Sequence, residues 1–288
     1  MDLSSIEAFV TVAKCGSFSK ASQRLHVTQP AISKRVATLE TELGAQLFNR
    51  IARKISLTEA GKQLLPKAQQ LVQQAQDLTV MVSNLSDEVS GNLSIAIAHH
   101  IGLHRMPPVL RQYHAQYPNV QLDIHFQDSD AAYLELLDGD IEFAIITLPE
   151  HLPAHLESTV VWQDRLWPVV GKDSPLASWG EVDLLGLAAF PCVLPTPDTE
   201  THQVLARLCD QYGLSLDIQM TTNNLETLKM LAVAGIGWSL LPESMIDDSL
   251  VQIDIPHPLT RDLGVVAHTQ RHFSNAGSAL IELLKSRA

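Results

Sequence analysis

Between Leu64 and Leu85 the apolar residues Leu64, Ala68, Leu71, Ala75, Leu78, Val82 and Leu85 recur at spacings of 4, 3, 4, 3, 4 and 3. That period keeps an apolar seam on one side of an α-helix over three heptads. Thr58 is suited to cap this helix, which the pattern carries from Glu59 to about Glu88, roughly 45 Å at 1.5 Å per residue. Its flanks hold Gln69, Gln70, Gln73, Gln74 and Gln76. A helix packed on its own domain is the competing reading; the strict seam and wet flanks favour a coiled coil of two chains. Pro66, inside the helix, should bend it. The helix is a linker over 59–89, between a head over 1–58 and a body over 90–288, and 288 residues suit two or three units.

Charge divides along the same line. Residues 1–62 hold nine Lys/Arg and five Asp/Glu, a net of +4, which leaves −16 of the total −12 to the rest. A basic head on an acidic body suits a protein that touches phosphates with one end.

The head reads as three short helices. Leu3, Ile6, Phe9, Val10 and Ala13 have helical spacing, closed by Gly16. Ser19 is a candidate cap for a second helix carrying Ala21 and Leu25, and His26-Val27 makes the turn. Thr28 caps a third helix, where Pro30 is tolerated in the first turn. Ile32, Val36, Leu39 and Leu43 form its buried stripe, and Gly44 ends it. Ser33, Lys34 and Ala37 then point outward, Arg35 lies on the flank and Gln29 at the tip. Such a face fits a major groove, its amide and hydroxyl groups reading base edges and its cations meeting phosphate. On these residues alone, a small helical core with a solvated outer face fits equally well. Arg50, Arg53 and Lys54 precede the alternating Ile55-Ser56-Leu57, which suggests a basic β-wing.

The run Thr28-Gln29-Pro30-Ala31-Ile32-Ser33, followed by Leu39-Glu40, Leu43-Gly44, Leu47-Phe48, Arg50, Arg53, Leu57-Thr58 and Ala60-Gly61, resembles the LysR-type transcriptional regulator family. The resemblance implies a winged helix-turn-helix in which Gln29, Pro30, Ser33 and Arg35 contact double-stranded promoter DNA from the third helix and Arg53 from the wing. Charge and face add Lys34 and Lys54. It further implies a homodimer through the linker helix, paired into a homotetramer that bends DNA and governs RNA polymerase access. A dimer predicts an inverted-repeat operator.

After Ser90-Gly91-Asn92, strands and helices alternate, which indicates an α/β body with a mainly parallel sheet. Leu93–Ile97, Val120–Phe126 and Ile141–Ile146 read as strands, His99–Gly102 as a loop and Leu103–Tyr117 as a helix. Further strands follow over 166–170, 191–194, 214–220 and near Val265, with helices after His202, over 224–234 and from about Asn275. The Ala234-Gly235-Ile236-Gly237 run into Leu240-Leu241-Pro242, Ser174-Pro175-Leu176-Ala177, and Asp138-Gly139-Asp140-Ile141-Glu142 resemble the same family's effector domain, although Glu142 stands where Asp is usual. The resemblance implies two Rossmann-like lobes similar to a periplasmic binding protein: lobe I over about 90–161 and 265–288, lobe II over about 162–264.

Ligands of open α/β sheets sit beyond the carboxyl ends of strands, near helix N-termini. The loops that qualify supply His99, His100, Ile101, Ser129, Thr147, Thr196, Thr199, Thr201, His202 and Asn223 as candidate effector contacts. Small polar side chains and free N–H groups suit a small anion. Asp128 and Asp130 would repel one, which leaves Ser129 as the better contact there. The His99-His100 pair is a departure from the family; anion contact, metal binding and pH sensing are all open to it. Without an HxH or a Cys partner at useful spacing, no metal is expected, nor any cofactor besides the effector.

No GxSxG, Walker lysine loop or HExxH occurs, and Gly235/Gly237 lack the third glycine of a dinucleotide fingerprint, so no enzyme is expected. Cys15, Cys192 and Cys209 read as reduced thiols, with a Cys192–Cys209 redox switch as the alternative. No apolar run approaches a membrane span and Met1–Val10 is not signal-like, so a cytoplasmic location is expected. The rival readings are a cytosolic solute-binding or sensor protein and an architectural DNA binder without effector. Salt-dependent promoter binding, lost on removal of residues 1–58, separates the first rival from a regulator.

Overall fold

The computed structural model describes the chain except Ala52, Arg53, Asp87, Gln270 and Ala288, and describes Arg50, Ile51, Lys54, Gln76, Thr79 and Ser83 by backbone alone. It has two compact units, Met1–Leu85 and Ser86–Ala288.

The first unit runs α1 (Leu3–Cys15), α2 (Phe18–Arg24), α3 (Gln29–Leu43), β1 (Phe48–Ile51), β2 (Lys54–Leu57) and α4 (Glu59–Ser83). Asp2 caps α1 by accepting from the Ser5 N–H at 2.8 Å, and Gly16 closes it at φ 59°. The cap of α2 is Ser17, whose hydroxyl accepts from Lys20; Ser19 lies inside the helix. Between α2 and α3 His26 takes φ 52°, the only non-glycine in the left-handed region among the described residues. That fixes a tight turn. Thr28 starts α3 with an extended backbone but no side-chain cap bond. β1 and β2 pair antiparallel as the wing.

Phe9, Ile32, Val36, Leu39, Leu47 and Phe48 form the core of this unit. The expected stripe on α3 stops one turn early, because Leu43 is 40% exposed. Gly44 turns the chain at φ 63° immediately after it, and Leu47 and Phe48 close the core instead. Glu40 makes that turn possible. Its buried carboxylate accepts from the Leu47 N–H at 2.7 Å and the Phe48 N–H at 3.3 Å. Buried N–H groups at a turn need such partners.

The seam on α4 also divides. Leu64, Leu65, Ala68 and Val72 pack into this core. Leu71, Leu78 and Val82 remain exposed, and Leu85 lies beyond the last helical residue. The first repeat of the seam therefore serves its own unit, and the exposed stripe is shorter than the sequence spacing suggests. The helix continues through Pro66.

The second unit runs β3 (Gly91–Ala98), α5 (His99–His104), α6 (Met106–Gln116), β4 (Val120–Gln127), α7 (Ser129–Leu137), β5 (Phe143–Thr147), β6 (Leu156–Gly171), α8 (Leu184–Ala188), β7 (Cys192–Leu194), α9 (Glu200–Gln211), β8 (Ile218–Thr221), α10 (Leu225–Val233), β9 (Ser239–Pro242), β10 (Leu250–Gln252), β11 (Leu259–His268) and α11 (Asn275–Lys285). The expected mainly parallel sheet is mixed. β3 pairs parallel with β4 and β5, and β7 with β8. β11 pairs antiparallel with β5 and β6, and β6 antiparallel with β9 and β10. The expected loop at His99–Gly102 is the short helix α5, and the single helix expected over Leu103–Tyr117 is broken at Arg105, where Pro107 and Pro108 favour a fresh start.

Among the described residues, three apolar clusters make two lobes. One, in the first lobe, joins Ile95, Ile97, Phe143, Ile145, Val266 and Leu280; in the second lobe, one joins Leu166, Leu194, Leu205, Trp238 and Leu240 and another Val169, Val193, Leu228 and Leu241. The strands β6 and β11 run through both lobes, paired from Leu156↔His268 to Leu166↔Leu259. Their register slips between Leu263 and Gly264, opposite Val160–Trp162. A Cβ at Gly264 would collide with the Thr159 carbonyl oxygen, so only glycine permits this approach.

Candidate functional site

The tip of α3 presents Gln29, Pro30 and Lys34 to solvent, with Ser33 and Arg35 half-buried. Gln29 Nε2 donates to Ser33 Oγ at 3.2 Å, one turn along the same face. Arg53 lies outside the described residues, and Lys54 is placed by its backbone in β2.

In the second unit a cavity of about 330 Å³ opens where strand ends meet helix starts. Its wall comes from the first residues of α5, α7, α9 and α10, the end of β5 and the 149–151 loop. Of the candidate contacts, His99, His100, Ser129, Thr147, Thr199, Thr201 and Asn223 line it. Ile101 turns into the core of its own lobe. Thr196 donates to Asn223 Oδ1 through its N–H at 2.9 Å and its hydroxyl at 2.8 Å, holding that amide in place. His202 Nδ1 pairs with the Pro195 carbonyl at 2.9 Å and does not line the cavity.

Sequence reasoning missed the floor. Arg261 lines the cavity although its residue is only 4% exposed. Its Nη1 donates to Thr201 Oγ1 at 2.5 Å and its Nη2 to Asp164 Oδ2 at 3.0 Å. The other Asp164 oxygen accepts from Arg105 Nη2 at 2.8 Å. Arg261 and Asp164 are register partners on β11 and β6. A signal existed: the alternation Leu259, Arg261, Leu263 puts the arginine on the face of two buried leucines.

Burial pushes the His100 imidazole well below its ordinary pKa, and the positive charge of Arg261 adds to this. His100 is therefore neutral at pH 7, with Nε2 3.5 Å from Thr147 Oγ1. Burial raises the Asp130 carboxyl, helped by the charges of Asp198 and Asp128. No group of side chains able to hold a metal ion occurs among the described residues. No helix among them is long and apolar enough to cross a membrane.

Cys192 and Cys209 are both buried in the second core. Burial, with Asp217 nearby, pushes the Cys192 thiol up to about 12, and burial raises Cys209 as well. A redox switch needs an exposed thiolate, and these thiols are shielded and protonated. Millimolar hydrogen peroxide is expected to leave both unmodified in the native protein, with mass-detected oxidation only after denaturation. Native-state oxidation at Cys192 or Cys209 would show that the lobe opens more readily than its core implies.

A basic helix-turn-helix unit on the same chain as a two-lobed cavity-bearing unit defines a DNA-binding regulator with an effector domain. Residues 3–62 match the bacterial regulatory helix-turn-helix proteins of the lysR family, and residues 86–288 match the LysR substrate binding domain. The chain belongs to the LysR-type transcriptional regulators. It is 31% identical over 280 residues to the HTH-type transcriptional regulator YeiE of Escherichia coli strain K12, covering 95% of this chain and 94% of that protein. Its fold is similar to a full-length OxyR variant from Pseudomonas aeruginosa, with a TM-score of 0.75 at 22% identity, covering 100% of this chain and 94% of that one. It is also similar to CbnR in complex with its target DNA, with a TM-score of 0.65 at 21% identity, covering all of both chains.

Proposed function

We propose that a small anionic metabolite, bound in the cavity between the lobes, controls how this regulator holds promoter DNA. The observation that carries this reading is the cavity itself. It gathers the N-terminal turns of α7, α9 and α10 over the buried Arg261 guanidinium. Free helix N–H groups and a guanidinium both favour negative charge. Two chains joined along the exposed part of α4 present two α3 helices to an inverted repeat, and two such dimers form a tetramer. Effector binding shifts the lobes, changes the bend the heads impose and thereby alters access for RNA polymerase in the cytoplasm. The effector is the only small molecule required, and no reaction is catalysed.

Gln29, Pro30, Ser33, Lys34 and Arg35, with Arg53 and Lys54 from the wing, are the proposed DNA contacts. Lys34 serves a phosphate, so Lys34→Ala should weaken binding to all sequences alike. The slope of log K against log salt should fall by about 1. A loss confined to one operator sequence would assign Lys34 to a base instead. The proposal as a whole is tested by genomic pull-down of the operator, then footprinting with saturating sulfate, succinate and other small acids. A footprint identical in every case would count against effector control.

A further inference from the structure

We propose that the effector carries an ammonium group beside its acid group, and that its chemical class is the amino acid. This rests on the anionic reading above and narrows it. The charges around the cavity form two poles. At the floor, Arg261 pairs with Asp164, whose other oxygen is held by Arg105 from outside the cavity lining. Two cations on one anion leave a net positive charge, with Arg261 buried and Arg105 partly in reach of water. A guanidinium has five N–H donors. Arg261 uses three of them, Nε and Nη2 on Asp164 and Nη1 on Thr201, which leaves two without a protein partner among the described residues. The floor can therefore accept one more anionic group.

The rim is opposite in sign. Asp128, Asp130, Asp198 and Glu200 all line the cavity. Arg207 holds Glu200 at 2.7 Å. The other three have no cation within ion-pair distance among the described residues. Their places near helix starts favour negative charge in general, yet Asp128, at the cap position of α7, makes no side-chain cap bond. Asp130 stands on the first lobe and Asp198 on the second, close enough for the charge of Asp198 to raise the Asp130 carboxyl. A plain anion on Arg261 would add to this repulsion. A ligand with a carboxylate on Arg261 and an ammonium between Asp130 and Asp198 satisfies both poles. A metal ion is the weaker candidate, since no metal-holding group occurs among the described residues. The ammonium would also bring the lobes together, because it removes like-charge repulsion across the cleft. A volume of about 330 Å³ is at the small end of ligand sites and suits a molecule of this size.

Isothermal titration of the full chain with the protein amino acids tests this, each binder being paired with its 2-oxo acid and its decarboxylated amine. Sulfate and succinate complete the set. At least one amino acid is expected to bind at least about tenfold more tightly than either partner compound, a margin of about 1.4 kcal/mol. Asp130→Asn with Asp198→Asn, both at the cleft rim, should erase that margin while the 2-oxo acid binds as well or better. Arg261→Gln should weaken both. A 2-oxo acid that binds the wild type as tightly as its amino acid overturns the inference, and so does a margin that survives the double Asn variant. If succinate or sulfate binds and no amino acid does, the inference falls and the anionic reading stands. If none of these compounds binds, both fall.

Discussion

Leu78→Glu together with Val82→Glu should turn the regulator into a monomer and weaken its hold on an inverted-repeat operator by about 10²- to 10⁴-fold. The two side chains are 63% and 68% exposed on α4, next to Leu71 and Met81, which are exposed as well. Such an apolar stripe is costly in water, and it is the surface that the proposed dimer would cover. Glutamates there would face each other across the seam, so pairing becomes repulsive rather than merely weaker. The core of the head uses Leu64, Leu65, Ala68 and Val72 and should keep its fold. The loss would then come from lost linkage: binding of the second half-site is no longer intramolecular. Sedimentation velocity should show the monomer. Anisotropy should show full-site affinity falling to that of a single half-site. A variant that stays dimeric would move the dimer interface away from α4.

The same helix shows how far sequence periodicity reaches. Apolar residues at alternating spacings of 4 and 3 state that one face is covered, not by what. Leu64 and Ala68 are covered by their own head, whereas Leu78 and Val82 are left exposed, and both halves of the seam read alike. Local chemistry was more legible. Gly16 and Gly44 close helices with positive φ, and Thr58 caps α4 through a 3.0 Å bond from the Gly61 N–H. At the start of α2 the sequence pointed to Ser19, whereas Ser17, two residues earlier, is the cap.

In the body, the cavity loops were legible because helix starts follow strand ends. Seven candidate contacts converge there. Ile101 was misplaced because α5 begins at His99 and turns that side chain inward. The alternation around Arg261 marked it as inward-facing, but its pairing at the floor was out of reach. Arg261 and Asp164 are 97 positions apart and meet only through the register of β6 with β11. The length of β6 was hidden for a related reason. Its polar–apolar alternation is interrupted near Val161, where the pairing slips. Only the partner strand keeps the two halves continuous.

That cross-strand pair carries the strongest stability effect expected in the body. Asp164→Ala should destabilise the effector domain by about 3–5 kcal/mol, because it strands a buried guanidinium without a counter-charge. Arg261 and Asp164 have side chains 2% exposed each, so water cannot substitute for the lost carboxylate. Arg105 is 34% exposed and can turn outward, so its share of the cost should be small. Trp162, Trp167, Trp179 and Trp238 are the only tryptophans and all lie in the body, so urea unfolding followed by their fluorescence reports on that unit alone. The companion variant is Asp164→Leu with Arg261→Met. Replacing both members of a buried ion pair with apolar groups is often neutral or stabilising, so most of the lost stability should return. The floor would then be apolar, and anion binding should not return with it. Stability restored without binding would separate the structural part of this pair from its part in recognition. If Asp164→Ala costs less than about 1 kcal/mol, or if the double variant costs the sum of its single changes, the pair is not the stabilising buried contact its geometry indicates.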